Sequence, residues 1–500
     1  MKIDDAYPKL VERLKRIHTI YTVADLLVWD EQVNLPPGGA DRRAEQNALM
    51  AELQHREASD PALGELIGAL EGEASVLDAA QAAVVRQARR DHDRAARLPA
   101  EFVREKAELS SRAFHAWAEA KPKSDFAAFA PFLERHVDLA RREAAYLGWG
   151  DRPYDYLIDQ HDPGMDSERI ALLFGRLKEQ LVPFAHAVVA SPVKPDTAFL
   201  RGFDVEAQRR FALEVTTALG FDYAHGRLDV SLHPFCSGTG PDIRMTTRFD
   251  ADNPLDSLFS AVHEAGHGMY EQGLPVEHAG TALAMAAGMG AHESQSRLWE
   301  NQVARSRGFW RHFEPRLRAI FPAQLASVSS ESLYLAVNAV APTLIRVDSD
   351  EVTYNLHILL RFELERRLFS GDLTVRDLPR AWKQASKELL GLEPESDREG
   401  VLQDVHWSGG AFGYFPSYCI GNMLAAQLWY RLVELHPGLE DRFAAGDFSV
   451  VLGWLRREIH GQGRRHDVLE LARRATGAEL SPEPLMRYLR ERYGPLYMVR

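Results

Sequence analysis

Cysteine is almost missing from this chain: five hundred residues carry only Cys236 and Cys419. That excludes a disulfide-stapled scaffold and points to a reducing compartment. Basic charge is also in short supply, with 59 Lys and Arg against 72 Asp and Glu, a formal net charge of −13. Such a surplus argues against a general nucleic-acid binder. Long apolar runs are absent. The most apolar window, 282–291, falls short of the ~20 residues a bilayer span needs and is broken by glycines, so no membrane association is expected. The opening Met1-Lys-Ile-Asp-Asp-Ala-Tyr-Pro8 carries early acids and no apolar core, which predicts no secretory leader and a cytoplasmic location. Strand signals, internal repeats, low-complexity tracts and long linkers are scarce or missing as well.

Helical periodicity fills the space they leave, within an ordinary globular composition of 45% hydrophobic and 26% charged residues. Helices are predicted over 9–29, 41–58, 75–97 and 101–120, with Ser75-Val-Leu-Asp78 as a capping box and Leu98-Pro99 as a stop. Further runs fall near 167–188, 205–219, 282–305, 351–368, 375–390, 423–435 and 450–458. The clearest strand is 242–249, after a turn at Ser237-Gly-Thr-Gly-Pro241. The economical architecture is mainly α, with a small β-sheet beside one special helix. It is expected as a single domain over 1–500, with an N-terminal helical wall to about 225 and the remainder from about 226.

The special helix carries His263-Glu264-Ala265-Gly266-His267, an HExxH motif. Histidines at i and i+4 project from one helix face, so both imidazoles can reach one zinc ion at about 2.0–2.1 Å. Glu264 then stands beside the metal, where it can take a proton from a water that the metal has acidified to a pKa near 7. Asn253-Pro254 reads as an N-cap with proline at the first helical position, and Gly273 with Pro275 as a stop. Leu255, Leu258, Phe259, Val262 and Tyr270 form an apolar stripe with the histidines along its edge and Glu264 toward the polar side. Gly266 and Gly268 weaken a helix interior by up to ~1 kcal/mol each, so close packing or ligand approach is expected there.

A catalytic zinc needs a third protein ligand and an open position. The HExxHxxGxxH pattern would place it at residue 273, but Tyr270 and Gly273 occupy the positions of its glycine and third histidine. A glutamate from a following helix remains. Ala291-His-Glu-Ser-Gln-Ser-Arg-Leu-Trp-Glu-Asn301 offers Glu293, with Glu300 two turns on as a supporting carboxylate; the bland alternative is that both are solvated helix charges.

With His292-Glu-Ser-Gln295 following HEAGH, the chain resembles the carboxypeptidase Taq family of metallocarboxypeptidases. Further family signatures stand in order: His233-Pro-Phe235, Asp242-Ile-Arg-Met-Thr246 and Gly400-Val-Leu-Gln-Asp-Val-His-Trp407. Trp29-Asp-Glu-Gln-Val-Asn-Leu-Pro-Pro-Gly-Gly39 looks like the family's opening segment, so the resemblance covers nearly the whole chain. One departure is Asp348-Ser349 in place of Glu-Ala, beside a retained Arg346. The resemblance implies a long-cleft helical zinc-peptidase fold, a homodimer, and zinc or sometimes cobalt as the metal.

It also implies the activity: release of single residues from the free C-terminus of peptides, with His263, His267 and Glu293 holding the metal and Glu264 as general base. His406 and Tyr418, with Tyr414 close behind, are candidates to polarise the scissile carbonyl, although without the family aromatic loop packing is the better reading of either tyrosine. An arginine should clamp the terminal carboxylate. Arg346 is preferred because Asp348, Asp350 and Glu351 follow it and offer to hold its guanidinium. Arg244 competes from a strand whose alternation sets Asp242, Arg244 and Thr246 on one face. His233 precedes proline and is expected in extended or turn backbone, as a substrate-binding or supporting residue of the site or, equally, as a hydrogen-bonded structural histidine. An endo-oligopeptidase or dipeptidyl carboxypeptidase with the same metal site, and a non-catalytic peptide-binding protein, are the alternatives.

Overall fold

A computed structural model describes residues 3–499; Met1 and Lys2 of the opening segment, and Arg500, lie outside it. The protein is mainly α with one small sheet. It divides into two compact units, one of Met1–Ala96, Asp196–Val337 and Leu428–Ala478, the other of Arg97–Pro195, Asn338–Gln427 and Glu479–Arg500. Among the described residues no helix is long and apolar enough to cross a membrane.

In the first unit, helices Ile3–Val33, Ala40–Ala58, Pro61–Glu71 and Ala79–Ala96 lead. Leu10, Leu63, Ile67, Leu70, Val84 and Ala88 fill their shared core, and Leu283 joins from far downstream. The predicted capping box is displaced. Ser75 lies in a short 3-10 turn, and the reciprocal pair is Asp78 with Gln81, each side chain accepting the other's backbone N–H at 2.8 and 3.1 Å.

The sheet has three strands, β1 (Gly226–Val230), β2 (Cys236–Thr239) and β3 (Asp242–Thr247), in the order β1-β3-β2. β3 runs parallel to β1 and antiparallel to β2. Residues 237–239, expected as part of the turn 237–241, therefore form a strand with Cys236, and the reversal is confined to Gly240-Pro241. Ile243 and Met245 are fully buried, as the alternation predicts, but Thr246 is fully buried too. Its hydroxyl lies 2.7 Å from Ser231 Oγ and accepts from Phe235 N–H at 3.0 Å, tying down the turn that carries His233.

The helix expected over 282–305 is broken into a 3-10 turn at Ala282–Ala284, an α-helix at Met289–Arg297 and a π turn at Leu298–Val303. Packing overrides local propensity here: Leu283 is fully buried among the N-terminal helices, and the chain enters the helix only after Gly288.

In the second unit, the helix Tyr354–Ser370 is buried from Tyr354 through Phe362, Arg361 included, and again at Leu364, Glu365, Leu368 and Phe369. Helices Phe126–Tyr146, Ser167–Ala190, Leu378–Leu390 and Glu483–Tyr497 belong to the same unit.

Candidate metal centre

The motif lies on the helix Pro254–Glu271, where Asn253 Oδ1 accepts the Asp256 N–H at 3.4 Å as the predicted cap. A Cβ on Gly266 would stand 2.6 Å from Ser296 Cα and 2.8 Å from the Gln295 carbonyl oxygen. One on Gly268 would meet Phe221 at 2.5 Å and Ile243 of β3 at 3.2 Å. Both glycines therefore let backbone or sheet approach the motif helix closely, and Gly266 sets its spacing from the helix Met289–Arg297.

That spacing brings the predicted ligands together. Glu293 Oε2 lies 3.6 Å from His263 Nε2 and 3.5 Å from His267 Nε2. Two ligands each ~2.1 Å from one tetrahedral ion stand ~3.4 Å apart, so the cluster fits a divalent metal of zinc's size. Among the described residues, these three form the group of histidine and carboxylate atoms that could hold such an ion. The back of each imidazole is also occupied. His263 Nδ1 meets Glu300 Oε2 at 2.8 Å, and His267 Nδ1 meets His292 Nδ1 at 2.5 Å. Arg297 donates to Glu293 Oε1 at 2.6 Å and to Glu300 Oε2 at 3.2 Å.

Electrostatics follow from this arrangement. Against the cost of burial, Arg297 and the two histidines hold Glu293 well below the usual carboxylate range. Burial and the neighbouring His292 push His267 down to about 3, leaving a neutral imidazole able to ligate. Glu264, expected on the polar side, is only 7% exposed. Burial pushes its carboxyl up to about 7, with Glu293 reinforcing and His263 opposing. A carboxylate that exchanges a proton near neutrality is suited to general-base work.

The second unit gathers a different cluster. Arg346 Nε and Nη2 donate to Asp404 Oδ1 at 3.0 and 2.9 Å, and Nη1 to the Tyr354 hydroxyl at 3.2 Å. The guanidinium is thus held by Asp404 rather than by Asp348, Asp350 or Glu351. Asp350 instead caps the Val352 and Thr353 amides, and Glu351 accepts from Tyr488 and Tyr493. Arg361, fully buried, binds the other oxygen of Asp404 at 2.8 and 2.5 Å and Gln403 at 2.8 Å. Two guanidiniums share one carboxylate, leaving an excess positive charge for an anionic ligand.

Tyr418 lies 5.1 Å from the Arg346 guanidinium, and its hydroxyl is 3.4 Å from His406 Nε2. The Tyr414 ring stands 5.3 Å from that of Tyr418. Burial, with Arg346 and Arg361 opposing the pull of Asp404, pushes His406 down to about 4. It is neutral at pH 7 and one ring nitrogen can donate.

Arg244 is placed differently. It pairs bidentately with Asp242 at 2.9 and 3.1 Å, and its guanidinium stacks 4.2 Å over Trp29. His233 is exposed on the turn after β1, its carbonyl accepting from Ser231 Oγ at 2.6 Å.

Sequence reasoning missed Arg361, Asp404 and Glu365. Glu365 accepts from Tyr154 at 3.0 Å, Trp407 Nε1 at 2.7 Å and the Gly413 amide at 2.9 Å, fixing the loop that carries His406. The available signal was Asn355-Leu-His-Ile-Leu-Leu-Arg-Phe-Glu-Leu-Glu365. A helix apolar on all sides is buried, so its charges need partners.

A helical fold with an HExxH cluster defines a metallopeptidase, and comparison narrows the class. The profile of the carboxypeptidase Taq (M32) metallopeptidase family matches residues 9–493. Thermostable carboxypeptidase 1 of Thermus thermophilus is 44% identical over 99% of this chain and 100% of its own length. Carboxypeptidase 1 of Bacillus subtilis is 37% identical over 100% of both. The crystal structure of the M32 carboxypeptidase from Deinococcus radiodurans R1 superposes with a TM-score of 0.97 at 44% identity, covering 99% of this chain and 100% of that one. The chain belongs to the carboxypeptidase Taq family and is an enzyme of the metallocarboxypeptidase class, a hydrolase of peptide bonds.

Proposed function

We propose that this enzyme releases single amino acids from the free C-terminus of peptides, with Glu264 as general base. The observation that carries the reading is Glu264 itself: a buried carboxyl, one residue from His263 in a His-His-Glu donor set. A metal-binding role alone would not require it. His263, His267 and Glu293 would hold the metal, zinc by donor type. Bound there, it supplies Lewis acidity to water and carbonyl.

Glu264 takes the proton from the attacking water and passes it to the leaving amine. His406, neutral and able to donate, polarises the scissile carbonyl with Tyr418. Arg346, held rigid by Asp404, binds the terminal carboxylate, and the surplus charge of the Arg346–Asp404–Arg361 group supports that role. Cytoplasmic residence and a homodimer complete the proposal, the first resting on the near absence of cysteine and the second on family resemblance.

The test compares matched peptides with free and amidated C-termini, followed by mass spectrometry. Stepwise ladders from the free peptide and little reaction of the amidated one are expected. Internal cleavage of the amidated peptide would make it an endopeptidase.

A further inference from the structure

The two metal-binding imidazoles are supported unequally. His263 Nδ1 meets a carboxylate directly, at Glu300, whereas His267 Nδ1 meets another imidazole, His292 Nδ1. His292 in turn places Nε2 2.9 Å from Glu271 Oε1. Glu271 is the last residue of the motif helix, so His263, His267 and Glu271 recur at i, i+4 and i+8 along one face. His292 comes from the neighbouring helix Met289–Arg297, beside Glu293. Its ring stands 5.2 Å from that of Tyr270, whose hydroxyl is fixed by the Ala287 amide at 3.2 Å.

We propose that Glu271 and His292 are positioning residues that lock His267 in the tautomer able to ligate the metal. The inference deepens the metal-site reading above and rests on it. The hydrogen balance is determined at each atom. His267 ligates through the Nε2 lone pair and so carries its proton on Nδ1. Two ring nitrogens in contact need one donor and one acceptor, so His292 Nδ1 is bare and its proton sits on Nε2. That proton is donated to Glu271, whose carboxylate is acceptor-only when ionised. Removing Glu271 frees His292 to present a proton at Nδ1, which opposes the one on His267. The imidazole must then rotate or change tautomer, and the metal loses a preorganised ligand.

The experiment titrates zinc-loaded protein with a chromophoric chelator and measures melting of the metal-stripped protein alongside. Glu271→Met and His292→Phe should each lower zinc affinity roughly 10- to 100-fold, with metal-free melting unchanged. Glu271→Gln keeps an acceptor oxygen and should retain most of the affinity. Unchanged affinity in both Glu271→Met and His292→Phe overturns the proposal. So does a Glu271→Gln variant as weak as Glu271→Met, or a fall in metal-free stability that matches the affinity loss. His267→Ala is the control for the underlying reading: if it binds zinc like the parent, the metal site itself is wrongly assigned.

Discussion

Glu264 and Arg346 are the residues on which the chemistry can be tested most directly, because each combines burial with an unusual charge environment. Glu264→Gln removes the proton acceptor while keeping size and polarity. It should leave metal binding intact and lower kcat by ~100-fold or more, since positioned general bases contribute about 10²–10⁴. Activity within tenfold of the parent at equal metal content would remove Glu264 from the mechanism. Arg346→Ala should raise KM and lower kcat/KM by roughly thirty- to over a hundredfold on peptides with a free C-terminus. That corresponds to losing a charge-assisted pair of ~2–3 kcal/mol. The defect should shrink on an amidated peptide, where there is no carboxylate to clamp. An Arg244→Ala variant showing that selectivity instead would transfer the role, although Arg244 is already committed to Asp242 and Trp29.

Helices in this protein act as spacers whose contact residues matter more than their propensities. Alanine normally stabilises a helix over glycine by ~1 kcal/mol. Gly175 follows that rule, being exposed with open space around it, so Gly175→Ala should be neutral or stabilising. Gly266→Ala should reverse it, because the new methyl meets Ser296 Cα and the Gln295 carbonyl, backbone atoms that cannot turn aside. A net loss of ~1–3 kcal/mol is expected, with weaker zinc binding, since the two helices being pushed apart carry the three proposed ligands. Calorimetry showing Gly266→Ala as stable as Gly175→Ala would contradict this.

The helix Tyr354–Ser370 gives a charge counterpart. Asp404, between Arg346 and Arg361, is held well below the usual carboxylate range despite its burial. Its folded pKa is depressed, so its contribution is fully present above the unfolded value of ~4 and fades as pH falls below that. Asp404→Asn leaves two buried guanidiniums without their anion and should cost ~3–5 kcal/mol at pH 7. The variant should also lose less stability than the parent between pH 4 and 2. Parallel stability curves for the two proteins over that range would refute the assignment.

At the scale of the whole molecule, the sequence was legible where chemistry imposes fixed spacing and opaque where packing decides. The clustering of His263, His267 and Glu293 was readable because donors for one ion are expected at i, i+4 and on a following helix. The β3 strand was readable from its alternation. The helix 282–305 was misread because the burial of Leu283 among distant helices leaves no local trace. Arg346 was found while its partner was not: Asp404 is 58 residues on, and nearer acids offered a simpler match. β1 and β2 escaped because short strands of mixed polarity carry no period-2 signal.

Metal binding should therefore register beyond the site, through the elements that supply its ligands. An ion held by His263 and His267 from one helix and Glu293 from another cross-links segments that are otherwise joined only by packing. A ligand at 100 times its Kd adds ~2.7 kcal/mol to the stability of whatever must unfold to release it. Chelation should abolish activity, zinc should restore it, and amide exchange should slow on metal addition over 254–271 and 289–303. Glu264→Gln should show the same gain in protection without turnover, because it keeps the ligands and loses only the base. Glu293→Ala should show neither, while Glu300→Ala, which removes only the carboxylate behind His263, should be intermediate. If zinc protects those segments equally in the Glu293→Ala protein, the ion is held elsewhere and the third ligand must be reassigned.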